Sequence, residues 1–236
     1  MCNPSIGATE PLSVRLRTGT RKVHRSVEKV QFIRSFLKGM LHRESYLQYL
    51  RDLYVVYSAL EQQLSFHSRN PKLSALFLPA LFRSAALRRD LICLAGPDFE
   101  RRISPSPVAS EYARALVRLS HTQPYLLSAH AYTRYLGDLS GGQVLHKMVQ
   151  LGLGISGPEG LSFYQFPLVS DVPAMRVLYR QQLDLLPLSG DEMTAIVDEA
   201  CRAFAWNQSL LVQLPVPAFR FSETPRFVAQ AIQNAG

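Results

Sequence analysis

Apolar residues recur three or four positions apart along most of this chain, the spacing that gathers them on one face of an α-helix. Leu12, Leu16 and Thr20 begin the pattern, and Leu47 and Leu50 repeat it in the longest early stretch. No segment alternates polar and apolar residues with a period of two, as a half-buried strand does. The pattern therefore predicts an all-α fold with one domain of about eight helices.

Helix-breaking residues give the expected boundaries. The predicted helices span residues 12–28, 30–38, 44–66, 78–94, 111–119, 125–151, 172–186 and 191–214. Two prolines make residues 103–110 a predicted connector, and glycines make 152–160 a predicted loop. We expect a flexible N-terminal lead over residues 1–10, a folded domain over 11–214 and a C-terminal tail over 215–236.

The charge balance bears on the kind of partner. The 236 residues include 26 lysines and arginines against 18 aspartates and glutamates, a formal net charge of +8. Such a balance favours nucleic acid, an anionic membrane surface, an acidic protein or an anionic small molecule. The basic residues are dispersed, and no zinc-finger or RNA-binding motif is visible. No nucleic-acid partner is therefore expected.

Cysteine usage and hydropathy bear on the compartment. The three cysteines form no CxxC pair and no disulfide framework. No apolar run approaches the roughly 18 residues that cross a bilayer, and the N-terminus has no apolar signal core. We therefore expect a soluble protein of a reducing compartment, with no membrane anchor in its tail.

Residues 130–150 read HAYTRYLGDLSGGQVLHKMVQ and look helical at both ends but not in the middle. Gly137 and Gly141 are four positions apart, so they strip one helix face of side chains. A glycine inside a helix costs about 0.5–1 kcal/mol relative to alanine. Two interpretations stay open: a kink or close helix contact, and a bent helix whose backbone lies against a flat ligand.

Two pairs of residues one helical turn apart could hold a ligand. Glu28 follows His24 by four positions, and a metal-bound imidazole usually gives its other N–H to a carboxylate, carbonyl or water. Arg176 and Arg180 have the same spacing, and guanidinium groups fit carboxylates bidentately. Taken alone, each pair is more often an exposed, solvated helix face than a ligand site. Asn207 lies in an apolar stripe, where a backbone partner is expected.

Several other chemistries are excluded by missing motifs. Helical di-iron proteins need Glu-x-x-His units, and this chain has none. The HExxH and Cys/His zinc spacings are absent. So are the GxSxG, P-loop and dinucleotide-binding glycine patterns, which follow strands. Metallohydrolase, serine-hydrolase and nucleotide chemistry are therefore not expected.

Together the segments resemble the heme oxygenase family over about residues 14–214. AYTRYLGDLSGGQ (131–143) is similar to the distal-helix motif, which is long and specific, and LRTGTRKVHRSVE (16–28) is similar to the proximal-helix segment. FYQFP, RVLYRQQL and AFAWNQ follow in the order that the family has. The pattern resembles the soluble bacterial, cyanobacterial and plastid members most.

The resemblance implies roles for the two helices. His24 would be the axial ligand of the heme iron, with Glu28 near its outer nitrogen. Gly137 and Gly141 would belong to a kinked distal helix whose backbone lies over the heme. Asp138 would hold an ordered water network that delivers protons to the oxygen site.

The resemblance also implies a set of residues around the heme edge. The residues expected at the propionates are Tyr132, Arg176 and Arg180, with Arg17 assisting. The residues expected to line or support the pocket are Tyr57, Phe204 and Asn207. Arg17 and Arg176 stand where mammalian members have lysine, which changes the reach of the propionate contacts.

The activity implied is cleavage of heme to biliverdin, expected as the alpha isomer, with carbon monoxide and ferrous iron as the other products. It would use O2 and electrons from an acidic donor, a ferredoxin or a reductase, and a biliverdin-consuming reductase could follow it. The expected location is the cytoplasm, or the plastid stroma in a photosynthetic eukaryote. Two alternatives stay open: a heme-binding or heme-shuttling protein without turnover, and a helical relative that acts on small cofactors without heme.

Overall fold

The computed structural model describes residues 10–216, apart from the side chain of Gln143. Over this range the chain contains helices and turns but no strand, so the all-α prediction is confirmed. Its ten α-helices are α1 (Leu12–Glu28), α2 (Gln31–Phe36), α3 (Arg43–Phe66), α4 (Ser84–Ala95), α5 (Phe99–Arg102), α6 (Pro107–Thr122), α7 (Leu127–Ala131), α8 (Gly137–Leu153), α9 (Val172–Asp184) and α10 (Gly190–Val212). Residues 1–9 of the predicted lead and 217–236 of the predicted tail lie outside the described residues.

The core is organised around α3, the longest helix in the described range with 24 residues. Its apolar stripe includes Leu50, Leu53, Tyr57, Leu60 and Leu64, each at most 1% exposed. The helix packs against α4 and α6, while α1 packs against α10. Helical spacing of apolar residues thus produces the buried faces that the sequence predicts.

The expected connector over residues 103–110 is wrong in its second half. Pro107 is the first residue of α6, where its missing N–H and fixed φ fit a helix N-terminus. Ser106 caps this end, because its side chain accepts a hydrogen bond of 3.1 Å from the Ala109 N–H. The proline therefore starts a helix instead of breaking one.

The expected start of α4 near residue 78 is also wrong. Pro79–Leu81 forms a 3-10 turn, and the α-helix begins only at Ser84. The carboxylate of Glu61, on α3, accepts the Ser84 N–H at 3.1 Å and also accepts the Arg83 N–H. The cap thus comes from a distant helix, which local sequence signals do not reveal.

The helix expected over residues 125–151 is divided. After the 3-10 turn Pro124–Leu126 and α7, Tyr132–Leu136 forms a π-helical turn, which contains one residue more than an α-turn. The Thr133 hydroxyl donates to the Ala129 carbonyl at 2.9 Å within this irregular stretch. The irregularity therefore comes immediately before Gly137, which itself has helical φ and ψ of −62° and −49°.

Neighbouring elements hold α1 and α8 on opposite sides of a cavity. α1 packs against α9 and α10, and α8 packs against α2, α9 and the 3-10 turn Ser162–Tyr164. A Cβ added at Gly152 would lie 2.7 Å from the Gly39 carbonyl oxygen, so this glycine lets the end of α8 approach the chain after α2 closely. Among residues 10–216, no helix combines the length and apolar character needed to cross a membrane.

Candidate functional site

A cavity of about 680 Å3 separates α1 from the π turn and α8. α1 supplies one wall through residues spaced three or four apart, which is the spacing of a single helix face. The lining residues from α1 are Ser13, Arg17, Thr20, Arg21, His24, Arg25 and Glu28. The opposite wall consists of Tyr132, Thr133, Leu136, Gly137, Ser140, Gly141, Val144 and Leu145. Ile33, Leu37, Arg180 and Phe204 complete the lining.

His24 is the imidazole of this cavity. Its Nδ1 lies 3.4 Å from Glu28 Oε1, and the two side chains are 56% and 58% exposed. The Phe204 ring meets the His24 ring edge to face, with centroids 5.6 Å apart. Because Nδ1 faces the carboxylate, Nε2 is the nitrogen left for a metal ion in the cavity.

The opposite wall has two positions without side chains. A Cβ built at Gly137 or Gly141 meets no atom within 4 Å, so no neighbouring helix requires glycine at either position. Both residues belong to α8, and neither has a positive φ. Close helix packing and unusual backbone geometry are thus both excluded as reasons for these glycines. The bare backbone faces the cavity, as an interpretation based on a flat ligand requires.

One edge of the cavity is cationic. Arg17, Arg21 and Arg180 are exposed lining residues, and none forms an ion pair within residues 10–216. Burial raises the pKa of Tyr132, although a hydrogen bond with Thr20 and the positive charges of Arg180 and Arg17 oppose the shift. This tyrosine and the two arginines therefore lie together, where they could hold carboxylates.

Arg176 is placed differently from its predicted partner. It is half-buried on α9 and does not line the cavity. Its backbone carbonyl accepts a hydrogen bond of 3.3 Å from Arg180 Nη1, so the two residues touch within their helix. The structure thus brings Arg17, Tyr132 and Arg180 together, but leaves the Arg176 guanidinium outside the lining.

Asp138 follows the first bare glycine but does not line the cavity. Its Oδ2 accepts a hydrogen bond of 2.5 Å from the Tyr57 hydroxyl, which comes from α3. Burial raises the pKa of Asp138 from 3.8 to about 7, against the Tyr57 hydrogen bond and the charges of Arg134 and Arg83. This carboxyl can therefore exchange a proton near neutral pH.

Arg134 is a buried cation that the sequence interpretation missed. Its Nη2 donates to Asn207 Oδ1, and its guanidinium lies 5.5 Å from the Tyr57 ring centroid and 6.0 Å from that of Tyr112. Asn207 thus has a side-chain partner instead of the expected backbone one, and it lies outside the cavity lining. The sequence feature that could have revealed this buried cation is an arginine among the small, aromatic and apolar residues of AYTRYL (131–136).

The Tyr112 hydroxyl continues this polar network away from the cavity. It lies 2.8 Å from His130 Nδ1, and His130 Nε2 lies 3.0 Å from Glu199 Oε1. Both members of the His130–Glu199 pair are buried, and Glu199 also accepts from Arg202 at the surface. His130 is therefore satisfied within the protein and is not a second ligand for the cavity.

The residues present fit a flat metalloporphyrin with two carboxylates. One wall offers an imidazole nitrogen for the metal, and the other offers a surface without side chains at Gly137 and Gly141. Arginine fits carboxylates by paired N–H donors, and Arg17 and Arg180 lie on the same cavity. The open space at the two glycines carries this fit, because no atom of the described residues lies within 4 Å of a Cβ built at either position.

Comparison with known proteins agrees with this chemistry. The family model described as heme oxygenase matches residues 10–213. A heme oxygenase of Guillardia theta is 38% identical over 209 residues, covering 89% of this chain and 88% of the relative.

Solved structures agree as well. The heme oxygenase of Leptospira interrogans superposes with a TM-score of 0.85 at 38% identity, over 87% of this chain and 100% of that one. Heme oxygenase-1 of the cyanobacterium Synechocystis sp. PCC6803, solved in complex with heme, has a TM-score of 0.83 at 35% identity, over 96% of this chain and 97% of that one.

Proposed function

The chain belongs to the heme oxygenase family, and we propose that it binds its substrate heme in the cavity between α1 and α8. As a heme oxygenase it cleaves heme to biliverdin, carbon monoxide and ferrous iron, using O2 and external electrons. Heme is both its substrate and its prosthetic group, and its iron supplies the oxygen-binding centre. One observation carries the proposed location: His24 faces the side-chain-free positions Gly137 and Gly141 across one cavity.

The α1 side of the cavity binds and orients. His24 Nε2 is the proposed axial ligand, and Glu28 holds the ring by its contact with Nδ1. Phe204 packs against the imidazole edge and limits its rotation. These contacts fix the imidazole before substrate arrives, which reduces the entropy lost on binding.

The cationic edge sets the rotation of the substrate in its plane. Arg17 and Arg180 hold the propionates, with Tyr132 beside them and Arg176 supporting Arg180 through its carbonyl. Contacts of these residues with the propionates would fix the orientation of the bound heme and thereby select the meso carbon that reacts. The family resemblance supports the alpha isomer of biliverdin as the proposed product.

Proton delivery is assigned to Asp138. Its carboxyl exchanges a proton near neutral pH, and Tyr57 donates to it from the protein interior. Because Asp138 does not line the cavity, ordered water must carry the proton to the oxygen site. Arg134 and Asn207 extend this polar region behind α8.

A heme-binding or heme-shuttling protein without turnover is the alternative from another class. Axial ligation by His24 serves both functions equally. The Tyr57–Asp138 pair favours the enzyme, because heme storage has no need of a proton donor active at neutral pH. The family membership and the cationic edge argue against a helical relative that acts on small cofactors without heme.

Hemin titration followed by reduction tests the function directly. Wild-type protein should bind hemin, and with ascorbate and O2 its Soret band should decay as a bilin spectrum appears. His24→Ala should lose the optical and electron-resonance signatures of imidazole ligation in the ferric heme complex. The control His121→Ala changes an exposed histidine on α6 and should behave as wild type. Tight hemin binding by wild type with no bilin would favour the alternative. An unchanged ferric spectrum in His24→Ala would remove this residue as ligand.

An acidic protein, either a ferredoxin or a reductase, is the proposed electron donor. The net charge of +8 supports this, as do Arg21, Lys22 and Arg25, which are exposed on α1 and lack ion-pair partners in the described range. A cytoplasmic or stromal location would bring the enzyme together with such donors and with a biliverdin-consuming reductase. Turnover with a ferredoxin system should fall as salt rises, while turnover with ascorbate should not. Equal salt dependence would contradict electrostatic docking.

A further inference from the structure

Arg83 is a buried cation without a carboxylate partner for its guanidinium. The residue is 4% exposed. Its Nε donates to the Leu81 carbonyl at 3.0 Å, and its Nη1 donates to the Gln165 carbonyl. The guanidinium also lies 4.0 Å from the Phe166 ring centroid. All hydrogen bonds of the guanidinium within residues 10–216 go to backbone carbonyls, so its charge is solvated by dipoles and not neutralised by a salt bridge.

Glu61, a carboxylate whose charge acts on the Arg83 guanidinium, forms its hydrogen bonds with other groups. It accepts the backbone N–H groups of Arg83 and Ser84 and the Ser84 hydroxyl, which together cap α4. Burial raises the pKa of Glu61, although these three donors and the charge of Arg83 oppose the shift. The Arg83 guanidinium and the Glu61 carboxyl group are thus both buried in this part of the protein, and each forms its hydrogen bonds with other groups.

Both charges lie next to the Tyr57–Asp138 pair. Glu61 follows Tyr57 by one turn of α3, on the same helix face. Phe82, the neighbour of Arg83, stacks on the Tyr135 ring with centroids 6.4 Å apart and planes at 17°. The Tyr135 ring in turn lies 6.2 Å from that of Tyr57. The rings of Phe82, Tyr135 and Tyr57 therefore form a continuous aromatic layer that leads from the chain at Arg83 to the Tyr57–Asp138 pair, and the last two of these rings are buried.

We propose that Arg83 is a positioning residue for the reaction, whose buried charge acts across this aromatic layer to set the proton affinity of Asp138. The inference rests on the proton-delivery role that we propose for Asp138. Charges separated by protein interior interact at longer range than charges separated by water, because the effective dielectric constant is lower. A cation with no salt-bridge partner exerts the larger field.

The direction of each effect follows from the sign of the charge. The charged groups that act on Asp138 are Arg134, Arg83 and Glu61, and Tyr57 donates a hydrogen bond to it. The charge of Asp138 in turn helps to raise the pKa values of Tyr49, Tyr57 and Tyr135, which are neutral near pH 7. Burial is the main cause that raises the pKa of Asp138. The charge of Arg83 lowers this pKa, and that of Glu61 raises it. Removing each charge should therefore move the proton affinity in opposite directions, which general structural damage does not do.

A carboxyl titration in the heme-free protein tests the effect on Asp138 itself. With 13C-labelled aspartate, Asp138→Asn identifies the resonance by its loss. Arg83→Gln should raise the midpoint by about one pH unit, a tenfold rise in proton affinity. Arg83→Lys, which keeps the charge, should stay near wild type, and Glu61→Gln should shift the midpoint down. Arg43→Gln removes an exposed arginine that also donates to a backbone carbonyl, at Leu94, and should change nothing.

The pH profile of bilin formation with ascorbate separates the remaining outcomes. If the profile follows the titration in Arg83→Gln and Glu61→Gln, the proposal stands. If Arg83→Gln does not move the Asp138 midpoint, the proposal is overturned while the heme oxygenase reaction is untouched. If the midpoints move but the profiles do not, Asp138 does not limit proton delivery and its proposed function fails as well. Should Arg83→Gln not fold, Arg83→Met removes the same charge while keeping most of the side-chain length, and its Asp138 midpoint decides the question.

Discussion

Replacing Gly137 and Gly141 by alanine should stabilise the heme-free protein. Alanine in a helix interior is favoured over glycine by about 0.5–1 kcal/mol, since glycine loses more backbone entropy on folding. No clash offsets this gain, because an added Cβ meets no atom within 4 Å at either position. Helix propensities sum along a helix, so the two changes together should gain about 1–2 kcal/mol.

Urea unfolding of the heme-free protein measures this gain in unfolding free energy. In thermal unfolding, about 1–2 kcal/mol corresponds to a rise in melting temperature of roughly 2–8 °C for a chain of this size. Gly152→Ala is the matched control on the same helix, because its Cβ would lie 2.7 Å from the Gly39 carbonyl oxygen. That variant should be less stable than wild type. A loss of stability in Gly137→Ala or Gly141→Ala would refute the argument that these glycines have no structural role.

Function should change in the opposite direction. Gly141→Leu keeps a good helix former but projects a large side chain into the cavity, so it should fold and bind hemin at least about tenfold more weakly. Hemin titration of the folded variant measures this loss. Wild-type affinity together with a wild-type rate of bilin formation would mean that the substrate does not lie against the backbone at Gly141. The two measurements together separate a glycine kept for folding from a glycine kept for a ligand.

Two further predictions concern a cap and a buried carboxyl. Ser106→Ala removes the cap of α6 and should cost about 1 kcal/mol in urea unfolding, whereas equal stability would argue against that cap. The pKa of Asp138 is raised from 3.8 to about 7, so its ionisation opposes folding. The unfolding free energy of the wild type should therefore fall as the pH rises from about 4 to 7. Asp138→Asn should show a smaller fall in unfolding free energy over that range. Parallel curves would show that Asp138 titrates normally.

Helix periodicity predicts the fold well where each helix supplies its own signals. α1 was expected over 12–28 and α3 over 44–66, and both agree within one residue. α4 and α6 were placed wrongly for two different reasons. The cap of α4 comes from Glu61, which is distant in sequence, and Pro107 was interpreted as a breaker although it occupies the first helical position. Tertiary contacts and the position of a proline relative to a helix end are not contained in periodicity.

The site divides in the same way. His24 with Glu28, and Gly137 with Gly141, are separated by one helical turn, so the sequence could place each pair on one face. The partners of Asp138 could not be placed in this way. Arg134 precedes it by four positions, which in a regular helix predicts an exposed ion pair. Instead, the guanidinium is buried and donates to Asn207, 73 residues away.

The π turn explains how one segment serves both the cavity and the interior. Tyr132, Thr133, Leu136 and Gly137 line the cavity, while Arg134 is directed toward Asn207. A regular α-helical turn holds one residue fewer than this π turn, and one residue of an α-helix corresponds to a rotation of about 100°. With regular helical geometry over the same residues, α8 would therefore be rotated by about that angle relative to α7. That rotation would carry the bare glycine face away from His24. The extra residue in the turn is therefore what aligns the glycines with the cavity while the polar side chains beside them remain inside the protein.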